Sequence, residues 1–508
     1  MIADTQPKAL VRVPSGIRGF DKILSGGFLR GGVYMILGKP GAGKTILGNQ
    51  TCYNHVAAGG RALFLTLLSE SHARMISYIG QMAFFDRSQI GSSLVYVSGY
   101  QALENEGLKG LLGMVRKCVM DHHATLLVID GLVTAGTLAS SEVELKKFIH
   151  ELQLTVELVG CTTLLLTGES NGGEAYPLRT MVDGLVQITF DPIGMGTART
   201  LEVTKHRGSD FLMGRHLYQI SDQGIGVHPR TESVLGRNPA RPRPAEPLAF
   251  GIESLDPMLG GGLEEGSVTL ELGAPGTGKT LLGLGFLAEG ARRGQPGLYF
   301  GFSETPDELK RRADSVGLGL SSLVDKKAVE LRWQPPLGLL ADVLAEELLE
   351  RIEARGVRRL FIDGIDGLVS SLVYPDRAGG YFTALGNELR SRGVTTLFSD
   401  ETSSLFGPEV TVPVSGLNAA LDNILFLRHV ELRAQLHRLI SVVKMRGGPS
   451  DSSLREFSIT DRGIEVSSSF DSAEAIVTGI ARSTSQAPPR KASASPRHKK
   501  PSRRRSKK

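Results

Sequence analysis

Two stretches decide the reading of this chain: Gly38-Lys39-Pro40-Gly41-Ala42-Gly43-Lys44-Thr45, and, 235 residues on, Gly273-Ala274-Pro275-Gly276-Thr277-Gly278-Lys279-Thr280. Both fit G-x-x-x-x-G-K-[ST]. A phosphate chain needs several convergent N–H donors, and glycines let backbone curl around it without Cβ clashes. The helix expected to follow adds the positive end of its dipole. Lys44 and Lys279 are placed to reach β- and γ-phosphates, and the Thr45 and Thr280 hydroxyls to ligate Mg²⁺. A glycine turn that happens to match is the bland alternative. Two matches at one offset, each between a predicted strand and a predicted helix, leave it little room. The loops read as nucleotide sites.

Outward from the loops, the chain repeats itself. Gly16-Ile-Arg-Gly-Phe-Asp21 matches Gly251-Ile-Glu-Ser-Leu-Asp256 at the same offset. Lys205-His-Arg207-Gly208 recurs as Lys444-Met-Arg446-Gly447, and a [ST]-Asp-x-Gly-Ile element begins 16 residues after each lysine, at 221–225 and 460–464. This is a tandem duplication, each copy large enough for its own core. In each copy short apolar runs (33–37, 62–67, 125–129 and 162–167; 267–272, 297–302, 359–362 and 394–399) alternate with helical-period segments such as 142–159 and 341–355. That alternation predicts an α/β fold of two tandem domains, each a mostly parallel sheet flanked by helices. The expected domains are 12–228 and 248–467. A proline-rich connector over 229–247 and a disordered Ser/Ala/Pro/basic tail over 468–508 complete the chain.

Composition narrows the function classes. At 508 residues and 41% hydrophobic the chain is too long for one core and too apolar for wholesale disorder. No apolar run approaches the ~18 residues of a membrane span. The opening MIADTQPKALVRVP lacks the apolar centre of a secretory signal. Cys52, Cys118 and Cys161 have no CxxC spacing, which argues against a disulfide framework or zinc ribbon and makes the cytoplasm the expected compartment. The formal charge is +5, but eleven Lys or Arg and no Asp or Glu follow residue 474, so the body stands at −6. The basicity is a tail, which reads equally as an arm for DNA, RNA or an acidic partner or as a solubilising disordered end.

Further candidates sit at strand ends. Asp130 and Asp363 close apolar strands downstream of the loops, where a carboxylate holds Mg²⁺ through water; a turn or capping Asp is the alternative. Glu70 and Glu304, about 25 residues beyond each loop, could orient or deprotonate an attacking water, or simply cap a helix. Lys205 and Arg207, like Lys444 and Arg446, share one side of a predicted strand. That suits phosphate contact, yet a solvated strand face has the same pattern.

These residues resemble the KaiC family of RecA-like ATPases. The resemblance is carried by both loops, both [ST]-Asp-x-Gly-Ile elements, Phe302-Ser-Glu-Thr-Pro306, and His429-Val-Glu-Leu-Arg433 leading to Val442-Val-Lys-Met-Arg-Gly447. It covers roughly residues 12–467. It implies two RecA-like domains, ATP with Mg²⁺ as cofactors, and a two-tiered homo-hexamer with nucleotide between neighbouring copies. Lys205, Arg207, Lys444 and Arg446 then look like residues reaching a neighbour's ATP, with Asp222 and Asp461 as further nucleotide-side contacts. KaiB-like or sensor and regulator proteins become the expected partners.

The departures are specific. Clock members of the family carry two adjacent glutamates after the second strand of each domain; here the second copy has Ser303-Glu304 and the first a single displaced Glu70. At the clock proteins' autophosphorylated Ser-Thr pair this chain has Asn418-Ala419, neither with a hydroxyl, and Ser415 is three residues off. The leading expectation is therefore an ATP-hydrolysing ring acting as a nucleotide-dependent signalling switch or scaffold. A Ser/Thr autokinase of the clock type and a DNA-handling recombinase motor are the alternatives. Trp333 is expected to pack, His122-His123 lacks companion metal ligands, and the segments 169–184 and 401–418 are expected to be structural loops.

Overall fold

The computed structural model describes residues 10–68, 72–168, 176–193, 196–235, 247–335, 338, 340–402, 417–432, 435–446, 450–468 and 480–481. Two sheets carry the architecture. In the first the strand order is Gly224–His228, Arg215–Ser221, Gly196–His206, Gly184–Ile193, Val33–Gly38, Thr162–Thr167, Leu126–Asp130, Ala62–Thr66, Leu94–Ser98. The second repeats it in the reverse listing: Val329–Trp333, Gly297–Gly301, Arg359–Asp363, Thr395–Glu401, Val268–Gly273, Asn423–Leu432, Gln435–Lys444, Arg455–Thr460, Gly463–Val466. The strand feeding each phosphate loop is central, parallel to both neighbours. Helices cover both faces, which is why Val33–Gly38 and Val268–Gly273 are buried at every position. Each sheet accordingly has one apolar core on either face.

The expected apolar strands are all present, and the helices run over Glu142–Val159 and Ala341–Arg355 as the periodicity predicts. Two further features were not expected. One strand runs on to Glu401, carrying Asp400 and Glu401 to the sheet edge. A pair of antiparallel hairpins, Gly184–Ile193 with Gly196–His206 and Asn423–Leu432 with Gln435–Lys444, makes each sheet mixed.

The helices after the loops, Lys44–Ala57 and Lys279–Arg292, lie unusually close to their sheets. A Cβ on Gly48 would sit 2.9 Å from Leu166, and one on Gly283 2.4 Å from Phe361. Both glycines are four residues past the loop lysine, so the duplicated spacing sets how deeply each helix seats.

The expected proline-rich connector is not irregular throughout. Thr231–Val234 is helical and packs on helix Ala378–Ser391 of the second half. Thr231 donates from its backbone nitrogen (2.9 Å) and its hydroxyl (2.8 Å) to Asp342. Buried partners outweigh the proline-rich composition here; residues 236–246 lie outside the described residues. So do Ser415, residues 169–175 and 403–416 of the two expected loops, and the basic tail from 482 on; part of the first loop segment is helical, Tyr176–Met181.

Candidate nucleotide sites

Both phosphate loops sit at the C-terminal edge of their sheets, where parallel strands place ligands. In the first, Gly41 and Gly43 take φ of 81° and 97° before helix Lys44–Ala57 begins. Lys44 Nζ donates to the Gly38 carbonyl at 2.7 Å and the Lys39 carbonyl at 3.0 Å. The Thr45 hydroxyl donates to Asp130 Oδ2 at 2.7 Å, and Asp130 is buried at the end of its strand. The two candidates Thr45 and Asp130 thus lie side by side.

The second loop repeats the fold of the first. Gly276 and Gly278 take φ of 76° and 103°, and Lys279 Nζ donates to the Gly273 and Ala274 carbonyls at 2.8 and 3.0 Å. Thr277 closes the loop on the Ala274 carbonyl at 2.8 Å. A cavity of about 510 Å³ opens over it, lined among others by Lys279, Thr280, Glu304, Arg312, Asp363 and Glu401. The candidates Glu304 and Asp363 therefore share one cavity with the loop. Asp363 accepts from the Ser399 hydroxyl at 2.6 Å and from the Tyr299 phenol at 3.1 Å. Burial pushes the Tyr299 phenol up and the Asp363 charge adds to it, so Tyr299 stays a donor.

Sequence reasoning missed several neighbours. Arg199 and Arg438 donate to the loop carbonyls of Gly41 and Gly276, each at 3.1 Å, and the Tyr218 phenol donates to the Ala42 carbonyl. Glu401 Oε1 lies 3.8 Å from Lys279 Nζ. Glu271, on the loop strand itself, is fully buried, and burial followed by the Asp363 charge holds its carboxyl well above the usual range. Burial, then the Asp366 charge, pushes Asp400 up to about 7. Glu271 was legible as a carboxylate interrupting the apolar run Val268-Thr-Leu-Glu-Leu272. In the first copy Ile36 holds that position.

The remaining candidates divide. Asp222 and Asp461 are on hairpin turns two residues beyond Ile220 and Ile459, and those side chains pack against Gly43 and Gly278. The Asp222 carbonyl accepts from the Ala83 nitrogen at 2.8 Å. Lys205 and Lys444 lie away from their own loops. Lys205 pairs with Leu185 while Gly38 pairs with Ile188, and Lys444 pairs with Ile424 while Gly273 pairs with Leu427. Each lysine is thus about 10 Å down the strand from the start of its own loop. Lys205 Nζ and Arg207 converge on the Thr180 carbonyl at 2.8 and 3.0 Å, and Lys444 Nζ donates to the Leu421 carbonyl at 2.8 Å. Burial, then the adjacent Arg207 or Arg446 charge, lowers both lysine pKa values. Glu70 lies outside the described residues. Trp333, expected to pack, is instead 37% exposed, and its indole nitrogen donates to the Phe302 carbonyl at 3.2 Å. Among the described residues no group of three His, Cys, Asp or Glu is arranged to hold a metal, and no helix is long and apolar enough to cross a membrane.

The donor set fits a nucleoside triphosphate with a divalent cation. Each glycine loop leaves no room for a Cβ at Gly43 or Gly278, an ammonium closes its base, and a threonine hydroxyl stands with a strand-end carboxylate.

A duplicated mixed sheet with a phosphate loop at each central strand end defines a double-domain RecA-like ATPase. Its family follows from comparison: a family model described as "ATPase: KaiC" matches residues 13–232 and 248–470. The chain belongs to the KaiC family. It is 25% identical to the circadian clock oscillator protein KaiC of Picosynechococcus sp. (strain ATCC 27264 / PCC 7002 / PR-6), over 93% of this chain and 92% of that one. It is 26% identical to the KaiC of Thermostichus vulcanus, over 92% and 91%, and 24% identical to that of Synechococcus elongatus, over 94% and 93%. Membership implies ATP binding and ATP hydrolysis.

Proposed function

We propose that this protein is a ring-forming ATPase that binds ATP with Mg²⁺ at both loops. In this reading each site is completed by the lysine–arginine pair of an adjoining copy, and the nucleotide state sets how the ring presents itself to signalling partners in the cytoplasm. The observation that carries it is the displacement of Lys205 and Lys444 from their own loops. A cation pair that far from its own phosphates can serve catalysis by serving a neighbour's.

Lys44 and Lys279 hold the phosphates, and Thr45 with Asp130 and Thr280 with Asp363 would hold Mg²⁺, which supplies charge neutralisation when bound. Glu304 orients the attacking water, and Glu70 has that role in the first site. The trans cations stabilise charge that develops on the transferred phosphoryl group. Size-exclusion chromatography with and without ATP and Mg²⁺ tests the ring: a six-copy assembly is expected with nucleotide, and a monomer in both conditions overturns it. Clock-type autophosphorylation is not expected, because neither Asn418, exposed on the turn Leu417–Ala419, nor Ala419 has a hydroxyl to receive a phosphoryl group. Intact mass after incubation with ATP should be unchanged.

A further inference from the structure

Glu304 is not alone at the cavity wall. Its Oε1 accepts from Arg312 Nη1 at 2.7 Å, and both side chains line the cavity that holds Lys279, Thr280 and Asp363. The two residues flank the start of helix Pro306–Ser315: Glu304 immediately precedes the capping residue Thr305, and Arg312 lies two turns in.

Nothing in the helix itself requires this arginine. The capping box between Thr305 and Glu308 fixes the helix start, and buried Leu309 and Ala313 anchor it to the core. The Glu304 and Arg312 side chains are 28% and 44% exposed, and ion pairs that exposed contribute little to stability. The duplicated copy makes the same point. Matching Glu70 to Glu304 puts Tyr78 opposite Arg312, and Tyr78 is an exposed side chain whose phenol accepts from Arg74 at 2.8 Å. One fold tolerates either residue, so the guanidinium belongs to the second site and not to the scaffold.

We propose that Arg312 is a positioning residue for the second site, fixing the Glu304 carboxylate at the cavity wall in the orientation from which it directs water. A carboxylate on three rotatable bonds next to a cavity of about 510 Å³ samples many orientations. A charge-assisted hydrogen bond to one oxygen selects among them and leaves the other oxygen to accept from water. The first copy has Tyr78, not an arginine, at the matching position. This inference rests on the reading of Glu304 as the water-orienting group.

The test is ATP turnover by the full chain carrying Arg312→Gln, Arg312→Lys, Glu304→Gln, or Glu304→Gln with Arg312→Gln, alongside thermal midpoints and affinity for a fluorescent ATP analogue. Turnover surviving in Glu304→Gln is the first site's share and is subtracted throughout. Arg312→Gln is expected to lower the second site's kcat about tenfold by misplacing the carboxylate, with KM, analogue affinity and thermal midpoint unchanged. Arg312→Lys should recover part of the loss, and the double variant should match Glu304→Gln. Parental kcat in Arg312→Gln overturns the proposal. So does a raised KM with weakened analogue affinity in Arg312→Gln, which would make Arg312 a phosphate ligand. A kcat loss tracking a lowered thermal midpoint, without recovery in Arg312→Lys, also overturns it. Parental turnover in Glu304→Gln overturns the reading of Glu304 itself, and the inference with it.

Discussion

Arg377 of the second half grips Glu232 of the first with two hydrogen bonds of 2.9 Å, one from Nε and one from Nη2. The same guanidinium reaches both oxygens of Asp342 at 3.1 and 2.8 Å, and Asp342 in turn receives Thr231. Asp342 is 1% exposed and Arg377 10%. Charges this deeply buried are sustained by one another, and burial alone would have lowered the arginine's pKa where its two carboxylates raise it.

Removing the shared cation strands two carboxylates, and breaking a buried pair from one side costs about 3–5 kcal/mol. Arg377→Ala is therefore expected to destabilise the chain by about 3 kcal/mol and to split its urea unfolding into two transitions. Lys146→Ala, which breaks an exposed pair with Glu142, should cost under about 0.5 kcal/mol. Equal effects from the two variants would show that the inter-half contact carries no special weight.

Asp400 gives a pH dependence with a definite sign. Its carboxyl titrates near pH 7 in the folded chain, against about 4 when unfolded, because burial and the Asp366 charge disfavour ionisation. Between those values the folded chain binds the extra proton, so this group's stabilisation is full below about pH 4 and is lost as pH rises through 7. Asp400→Asn keeps the acceptor used by the Glu401 backbone nitrogen and removes the titration. At pH 8 it should stabilise the chain by on the order of 3 kcal/mol, with little effect near pH 4. Urea midpoints that shift in parallel across pH for parent and variant would refute this.

The contrast between Asp363 and Asp400 shows how far the sequence could be read. Asp363, like Asp130, ends a short apolar run after a glycine loop, and one-dimensional spacing locates such a residue because strand ends share an edge. The central strands and both lysine loops were legible for the same reason. Arg312 and Ser399 were not, since their partners Glu304 and Asp363 are met across a helix or a neighbouring strand, at spacings with no period. The helix at Thr231–Val234 escaped notice because Asp342 and Arg377, far along the chain, hold it. Tertiary burial decided that segment against its proline-rich surroundings.

Gly278 tests the cradle. Its φ of 103° is a conformation L side chains rarely adopt, and a Cβ there would lie 2.8 Å from both Ile459 and Phe457. Gly278→Ala combines a backbone cost of roughly 1–2 kcal/mol with overpacking of about 1–3 kcal/mol. The loop is expected to shift and the second site to lose its affinity for a fluorescent ATP analogue at least tenfold, while Gly276→Ala, with open space around its Cβ, loses less. Unchanged binding in Gly278→Ala would mean the phosphates are held elsewhere.

Whether the lysine–arginine pairs act on a neighbour's nucleotide can be decided by mixing two inactive proteins. Glu304→Gln keeps the second loop but lacks its water-orienting carboxylate; Lys444→Ala with Arg446→Ala keeps the carboxylate but lacks the cations. Each alone should lose at least about 100-fold of second-site turnover, since one trans arginine is worth about 10³–10⁵ where it stabilises phosphoryl transfer. In a ring with head-to-tail contacts, random mixing pairs an intact Glu304 with an intact cation pair at about a quarter of the interfaces. Second-site turnover in the mixed ring should therefore return to about a quarter of the parental value. If the cations served their own chain's nucleotide, every site would still lack one component, and mixing would restore nothing. The strand register, with Lys444 and Gly273 separated by three residues of the intervening strand, favours recovery.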